Sequence, residues 1–302
     1  KKELLELYCK LNIEYGINTP IKFAVSSDFN DSKFNILYLL TGGLGLPDRD
    51  YYFDSEKEDI RKNYKNFISE YSKLFNLNLK SDLIFNLEEK LASKTYTKVQ
   101  KREPSRLNNP SNYQKISEKF DTIPIEFLFK NLKKNSDGKI NISNPIFLDL
   151  HQELWKNVSV ELWKDYLKWI LILSLSNYIN DDVSQKYFEF YGKEISGTPE
   201  IQPRSKRVIS ICNHQLGEVI GKLFVKEYFS ESAKIKATEL VNYIKLEIKN
   251  RLENNDWMES STKLKGIEKL DKMNVKIGYP SFFEDYRKLE LSLRNNYLQN
   301  NL

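Results

Sequence analysis

Apolar residues recur at helical spacing over most of the chain. In the first segment they fall on one face of a helix predicted over residues 2–15, at Leu4, Leu5, Leu7, Tyr8 and Leu11. The same periodicity predicts further helices near residues 56–75, 80–95, 112–119, 145–155, 160–179, 183–192, 205–227, 231–252, 257–273 and 283–298. The expected fold class is therefore mainly α, a multi-helix lobe.

The pattern differs between residues 21 and 40. Residues 21–25 alternate, the mostly polar residues 28–32 turn the chain, and residues 34–40 are again rich in apolar and aromatic side chains. Two such runs around a polar turn predict one short β-hairpin. Residues 100–112 and 132–144 are polar connectors, and no linker is long enough to divide the chain, so residues 1–302 are treated as one domain.

Two predicted helices have candidate N-terminal caps. Ser230 stands directly before the helix at residues 231–252. Asp256 stands before the next helix, and Glu259, three residues later, completes a capping-box pattern. The expected helix starts follow from these caps.

Composition and charge exclude several classes of protein. The chain has 302 residues, of which 40% are hydrophobic and 13% aromatic, which is enough to build a large core. No apolar run reaches the roughly 18 residues that a membrane helix needs. The net charge is +5, but Lys and Arg are interleaved with Asp and Glu. Because no basic stripe with aromatics is visible, no nucleic-acid partner is expected.

The two histidines do not form a zinc motif. Zinc hydrolases commonly carry two His four residues apart on a helix, with Glu between them. Trp155 occupies the position where a second His would follow His151, and His214 has no His or Cys four residues on. Both are interpreted as surface or packed structural residues, so the chain has no self-contained zinc site and no cofactor of its own.

The two cysteines are interpreted as buried free thiols. Cys9 lies on the apolar side of the first predicted helix, and Cys212 lies in a later one. Cys212 and His214 are two residues apart, a spacing that does not bring side chains together on a helix, so they do not form a nucleophilic pair. A cluster of aromatic and apolar residues is interpreted as core: Trp155, Trp163, Tyr166, Leu167 and Trp169.

A glycine-rich stretch follows the hairpin at residues 41–50. It lacks the Gly-Lys-Ser/Thr ending of a phosphate-binding loop and the spacing of a dinucleotide-binding loop. A structural role fits better, because glycines permit positive φ and Pro47 restricts the exit. Asp48, Arg49 and Asp50 are predicted to cross-link this loop to neighbouring helices. Arg49, which stands between two carboxylates, is predicted to form a bidentate, charge-assisted clamp.

At this stretch the sequence resembles a known family. Residues 43–52, Gly-Leu-Gly-Leu-Pro-Asp-Arg-Asp-Tyr-Tyr, resemble a signature of the neprilysin family of zinc metalloendopeptidases. Other similar motifs follow in order, including Leu87-Glu-Glu-Lys-Leu-Ala, Trp163-Lys-Asp-Tyr-Leu, Asp256-Trp-Met and Lys276-Ile-Gly-Tyr-Pro. The residues assigned to the family signature, with a structural role, are Gly43, Leu44, Gly45, Leu46, Pro47, Arg49, Asp50, Tyr51, Tyr52, Trp257, Met258, Gly278, Tyr279 and Pro280.

The resemblance implies that this chain is a lobe without the catalytic residues of the family. In the family, the His-Glu-x-x-His helix and a later Glu bind zinc in a segment that follows the one matched here. This chain is therefore expected to be the helical N-terminal lobe, inactive alone, that helps enclose a cavity for peptide substrates. Zinc and the catalytic lobe would belong to the full-length parent. The alternative is a truncated, non-catalytic module that binds peptides or another protein.

The resemblance also bears on the cysteines. In many animal members the position of Cys212 is disulfide-bonded to a cysteine nearer the N-terminus. The surroundings of Cys9 do not resemble that partner, and a Cys9–Cys212 bridge stays an open alternative.

Overall fold

A computed structural model describes residues 1–131 and 138–289. The described residues form two compact units, residues 1–201 and residues 202–289. The fold is mainly α with one small sheet, as the periodicity predicts. In the part of the chain that the structure describes, no helix is both long enough and apolar enough to span a membrane.

The first unit contains ten α-helices among its described residues. They are α1 (Lys2–Tyr15), α2 (Asp50–Phe53), α3 (Glu58–Lys73), α4 (Ser81–Ser93), α5 (Pro104–Leu107), α6 (Tyr113–Lys119), α7 (Ile125–Asn131), α8 (Pro145–Asn157), α9 (Val160–Ser174) and α10 (Asp181–Tyr187). Two 3₁₀ turns lie at Ser55–Lys57 and Gln100–Arg102, and α10 continues as a π-helix at Phe188–Ile195.

The sequence pattern located most of these helices and missed some short ones. α7 was not predicted because it begins just after Pro124 and its seven residues are too few to show a helical period. α2 and α5 have four residues each, which is about one helical turn. The helix predicted over residues 160–179 ends at Ser174.

The predicted hairpin is confirmed, but it is part of a larger sheet. Strands β1 (Ile21–Ser27), β2 (Asn35–Thr41), β3 (Pro110–Asn112) and β4 (Lys139–Ile142) are arranged in the order β1-β2-β4-β3. β1 and β3 are antiparallel to their neighbours, and β2 is parallel to β4, with Leu37 opposite Ile140. β2 corresponds to the apolar run at residues 34–40. It is a central strand, and most of its side chains are buried. β3 and β4 were predicted to be connectors because they are very short.

The aromatic cluster forms the centre of the first unit, as predicted. Trp155, Trp163, Tyr166, Leu167 and Trp169 are all buried. Around them α3 adds Tyr64, Phe67 and Tyr71, and the π-helix adds Phe190, which stacks on Phe67 with ring centroids 4.9 Å apart. Such aromatic pairs stabilise beyond the area they bury.

The described part of the second unit contains four α-helices and one 3₁₀ turn. The helices are α11 (Arg204–Gln215), α12 (Gly217–Tyr228), α13 (Glu231–Glu253) and α14 (Ser260–Asp271), and the turn is Tyr286–Lys288. The prediction of a single helix over residues 205–227 is therefore wrong, because Leu216 is not helical and separates α11 from α12. Of the helix predicted over 283–298, the residues up to 289 contain only the 3₁₀ turn, and the rest lie outside the described residues.

One of the two predicted caps is correct. The Ser230 Oγ atom accepts a 3.3 Å hydrogen bond from the Ala233 amide at the start of α13. Asp256 does not cap α14, because the side chain of Asn255 accepts bonds from the amides of Trp257 and Met258 at 3.0 Å each. The helix therefore begins later, at Ser260, and its N-cap residue is Glu259, whose side chain forms no capping bond.

Candidate functional site: the signature segment and Glu88

The signature segment, residues 43–52, connects β2 to α2 and is held by tyrosines from distant helices. The Tyr166 hydroxyl on α9 donates to the Gly43 carbonyl. The Tyr191 hydroxyl on the π-helix donates to the Gly45 carbonyl at 2.7 Å. Gly43 adopts a φ of +77°, a left-handed conformation that glycine takes without a Cβ clash. Two carbonyl groups of the loop are thus held by tyrosine hydroxyls from α9 and the π-helix.

Beneath the segment lies Glu88 of α4, whose side chain is fully buried. The Tyr52 hydroxyl donates to Glu88 Oε2 at 2.8 Å, and the Tyr64 hydroxyl donates to the same oxygen at 2.9 Å. Each hydroxyl also accepts a bond: Tyr52 from the Leu46 amide at 3.1 Å, and Tyr64 from Trp169 Nε1 at 3.0 Å. Glu88 is therefore the centre of a network that joins the segment to α3, α4 and α9.

The carboxyl group of Glu88 has hydrogen-bond donors around it but no cation. No described Lys, Arg or His forms an ion pair with it. Burial raises the pKa of Glu88 to about 7, although hydrogen bonds from Tyr52, Tyr64 and the Gly45 amide favour the ionised form. Burial also raises the pKa of Tyr52 and Tyr64, and Glu88 adds to the increase, so both hydroxyls remain donors.

Gly45 packs directly against this network. A Cβ atom at this position would lie 1.8 Å from the Tyr64 hydroxyl and 3.1 Å from Glu88 Oε1. Leu46, next in the chain, is buried, and Pro47 is exposed where the segment leaves the core. Glycine at position 45 is required because the Tyr64 hydroxyl occupies the space of a Cβ atom.

The outer half of the segment, residues 48–52, is held only partly as predicted. Arg49 does not form a bidentate clamp: its Nη1 atom lies 3.4 Å from Asp50, and its guanidinium lies over the Phe53 ring at 5.0 Å. Asp48 does supply a cross-link, through a 2.7 Å ion pair with Lys98, which lies in a turn and not on a helix. The Tyr51 carbonyl accepts a 3.2 Å bond from Arg61 on α3.

The remaining signature residues lie in the second unit. Gly278 has a φ of +68°, and a Cβ atom there would lie 2.6 Å from the Phe229 ring. Lys234 of α13 donates to the Tyr279 carbonyl at 2.8 Å and lies 3.9 Å from the Tyr279 ring centroid. Trp257 is 76% exposed, Met258 is half-buried and Pro280 is exposed.

Neither histidine belongs to a metal-binding group among the described residues. His151 is fully buried, neither ring nitrogen has a hydrogen-bond partner, and burial lowers its pKa to about 3. His214 is exposed on α11. Among the described residues, no group of three or more His, Cys, Asp and Glu side chains could hold a metal ion. The described residues therefore do not fit zinc.

The prediction for the cysteines is half correct. Both are free, and Cys9 is buried, with burial raising the pKa of its thiol. Cys212 is exposed, contrary to the prediction, because no described element covers its face of α11.

Glu88 was missed as a site residue, although the sequence contains a signal for it. It falls at the apolar spacing of α4, with Ile84, Phe85 and Leu91, all buried. An acid at a core position needs buried hydrogen-bond partners. Those partners, Tyr64 and Tyr52, are 24 and 36 residues from Glu88, and no local pattern connects them.

Comparison with known proteins identifies the family. The profile of the N-terminal part of Peptidase family M13 matches residues 1–280. The chain belongs to this family of metallopeptidases and corresponds to its N-terminal portion.

Individual relatives agree with this assignment. Human endothelin-converting enzyme 1 is 27% identical over 281 residues, which cover 88% of this chain and 36% of the human protein. The inhibitor complex of the Mycobacterium tuberculosis zinc metalloprotease Zmp1 has a TM-score of 0.89 and 26% identity, over 99% of this chain and 46% of that one. PepO of Lactobacillus rhamnosis, at 23% identity and a TM-score of 0.84 over 98% of this chain and 48% of that one, shares the fold. The chain thus spans less than half the length of these relatives.

Proposed function

We propose that this chain is the non-catalytic helical lobe of a zinc-dependent metalloendopeptidase that hydrolyses peptides in an enclosed cavity. In this proposal residues 1–302 form part of the cavity wall and the connection to a catalytic lobe, and the zinc ligands lie outside the chain. The observation that carries it is the family match over residues 1–280, in a chain that covers 46% of the zinc metalloprotease Zmp1.

The histidines of the chain support the assignment of the zinc chemistry to another segment of the protein. The chain has two histidines, one buried without a hydrogen-bond partner and one exposed. In the proposed peptidase, the described part therefore forms part of the cavity wall and the connection to the catalytic lobe. Water activation by zinc would take place in another segment.

The exposed apolar side chains of the second unit also support the proposal. Leu270 is its only buried residue among those described. Its helices expose large apolar side chains by more than half of their surface, including Leu223, Phe224, Tyr228, Leu240, Tyr243 and Leu246. An exposed apolar area of this extent is typical of a surface that another domain covers. In the proposal the covering element is the catalytic lobe of the same protein.

The direct test is an assay of peptide hydrolysis with added zinc. The protein from the complete reading frame is compared with residues 1–302 alone, using a quenched fluorescent peptide. We expect chelator-sensitive turnover from the complete protein and none from residues 1–302. Chelator-sensitive turnover by residues 1–302 would contradict the assignment of the chemistry to another segment.

The alternative function is a peptide- or protein-binding module without an enzymatic partner. The exposed apolar surface of α12 and α13 is the observation that favours it. A reading frame without His-Glu-x-x-His after this segment, together with a soluble chain whose exposed apolar surface binds a peptide or another protein, supports the module. A downstream His-Glu-x-x-His, and dye binding by residues 1–302 that is lost in the complete protein, supports the lobe.

A further inference from the structure

A small cavity lies beside the signature segment in the first unit. It has a volume of about 170 Å³, and four of its ten lining residues belong to the segment, namely Leu44, Leu46, Pro47 and Asp48. Pockets for drug-sized ligands commonly have about 300–1,000 Å³, so this cavity suits a small ion or a single chemical group. Lys101, another lining residue, is exposed, so the cavity is open to solvent.

The lining of this cavity carries more positive than negative charge. Lys22 of β1 and Lys101 both line it, and Asp48 is the one acid among the ten lining residues. The charge of Asp48 is already compensated, because its carboxylate pairs with Lys98 at 2.7 Å and accepts a 2.8 Å bond from the Asp50 amide. Neither Lys22 nor Lys101 forms an ion pair or a side-chain hydrogen bond with a described residue. Two ammonium groups at one cavity are therefore left without a counter-charge.

The wall between these two lysines is held by bonds within the protein. Asn18 lines the cavity, and its Oδ1 atom accepts a 3.3 Å bond from the Gly43 amide while its Nδ2 atom donates to the Leu44 carbonyl at 3.3 Å. The stem of Lys22 lies close to the backbone of Gly42, since a Cβ atom there would be 3.0 Å from Lys22 Cδ. The position of the Lys22 stem is thus set by the chain just before the signature segment.

We propose that this cavity binds a small oxyanion, a phosphate or a carboxylate, between Lys22 and Lys101, with the Thr41 hydroxyl of the lining as a further donor. Two like charges at one cavity repel each other, and an oxyanion between them replaces the repulsion by two attractions. Charge-assisted hydrogen bonds from ammonium groups to such oxygens are also stronger than neutral ones. Because residues 44–48 form one wall, the bound anion holds the signature segment in place. The inference goes beyond the proposed function, since it needs neither zinc nor a catalytic lobe.

The test is isothermal titration calorimetry of inorganic phosphate into the protein from the complete reading frame, with chloride holding the ionic strength constant. We expect the affinity to fall about tenfold in Lys22→Met and in Lys101→Met, because each variant removes a charged donor. Asp48→Asn, which removes the one acid of the lining, should bind phosphate more tightly. Lys94→Met is the matched control, since Lys94 is exposed next to the lining residue Thr95 but does not line the cavity.

Amide hydrogen exchange locates the bound anion independently of the heat of binding. Saturating phosphate should raise the protection of residues 42–48 in the unaltered protein and in Lys94→Met, and not in Lys101→Met. Because Lys101 is exposed, Lys101→Met tests the site even if Lys22→Met does not fold. Lys22→Arg keeps the positive charge and should keep most of the affinity.

A second pair of ligands distinguishes the two sources of the oxyanion. N-acetylalanine carries a free carboxylate, and N-acetylalaninamide does not. Lysine-dependent binding of N-acetylalanine but not of its amide assigns the site to a carboxylate, and lysine-dependent binding of phosphate alone assigns it to free phosphate. Binding of neither anion, or affinities that are equal in the unaltered protein, Lys22→Met and Lys101→Met, overturns the proposal.

Discussion

Gly45 lies so close to Tyr64 that a Cβ atom at residue 45 would be 1.8 Å from the Tyr64 hydroxyl oxygen. The two residues belong to a loop and to α3, and their contact is what places the signature segment on Glu88. The tyrosine cannot simply turn away, because its hydroxyl is bonded to both Glu88 and Trp169.

Replacing this glycine should therefore be costly. Gly45→Ala is expected to lower the free energy of unfolding by about 3 kcal/mol, by overpacking and by disturbing buried hydrogen bonds. Gly16→Ala is the control, since Gly16 has a φ of +63° but no atom within 4 Å of an added Cβ. It should cost only the backbone strain, about 1–2 kcal/mol. Denaturant unfolding followed by the fluorescence of the buried tryptophans measures both, and equal losses would contradict the steric argument.

Glu88 should make stability fall as the pH rises. Its pKa is about 7 in the folded chain and lower when unfolded, so between these values the folded state holds a proton that the unfolded state has released. Stability then decreases with pH by about 1.4 kcal/mol per unit. The stability of the unaltered protein relative to Glu88→Gln is expected to fall by about 2–3 kcal/mol from pH 5 to pH 8. Urea titrations at both pH values measure this, and a constant difference would show that Glu88 is ionised throughout.

His151 should make stability fall as the pH becomes acidic, whereas Glu88 should make it fall as the pH rises. Burial lowers its pKa to about 3, below its ordinary value of 6.5, and neither ring nitrogen has a partner. The stability that the neutral ring contributes is complete above pH 6.5 and is lost as the pH falls toward 3. Between pH 7 and pH 4.5 the unaltered protein should lose about 2–3 kcal/mol more than His151→Phe. Exposed His214→Phe should not change the acid profile, and an acid profile unaffected by His151→Phe would contradict the buried neutral ring.

The Lys234–Tyr279 contact should order the second group of signature residues. Lys234→Met keeps the aliphatic stem but removes the 2.8 Å bond to the Tyr279 carbonyl and the charge over its ring. A local loss of about 1–2 kcal/mol is expected, seen as faster amide exchange in residues 276–280. Exposed Lys236→Met on the same helix is the control. Equal exchange in the two variants would show that the Phe229 contact alone holds the segment.

The family, the helical class and the position of the hairpin could be predicted from the sequence because they depend on local information. Helices such as α1 and α13 follow from a period of apolar residues, and the signature segment follows from ten consecutive residues. Ser230 capped its helix as predicted because a cap is formed within three residues.

Tertiary structure alone decided which partners the signature residues have. Asp48, Arg49 and Asp50 were all expected to cross-link the loop. Asp48 does so with Lys98, Arg49 forms no bidentate clamp, and the other anchors are tyrosines from α9 and the π-helix. Cys212 lies at an apolar-looking position and is nevertheless exposed. Glu88 has an ordinary place in a helical pattern, and its character comes from burial and from Tyr52 and Tyr64. Local propensity acts over a few residues, whereas burial and the pKa of a carboxyl group depend on every group within a few ångströms, wherever it lies in the chain.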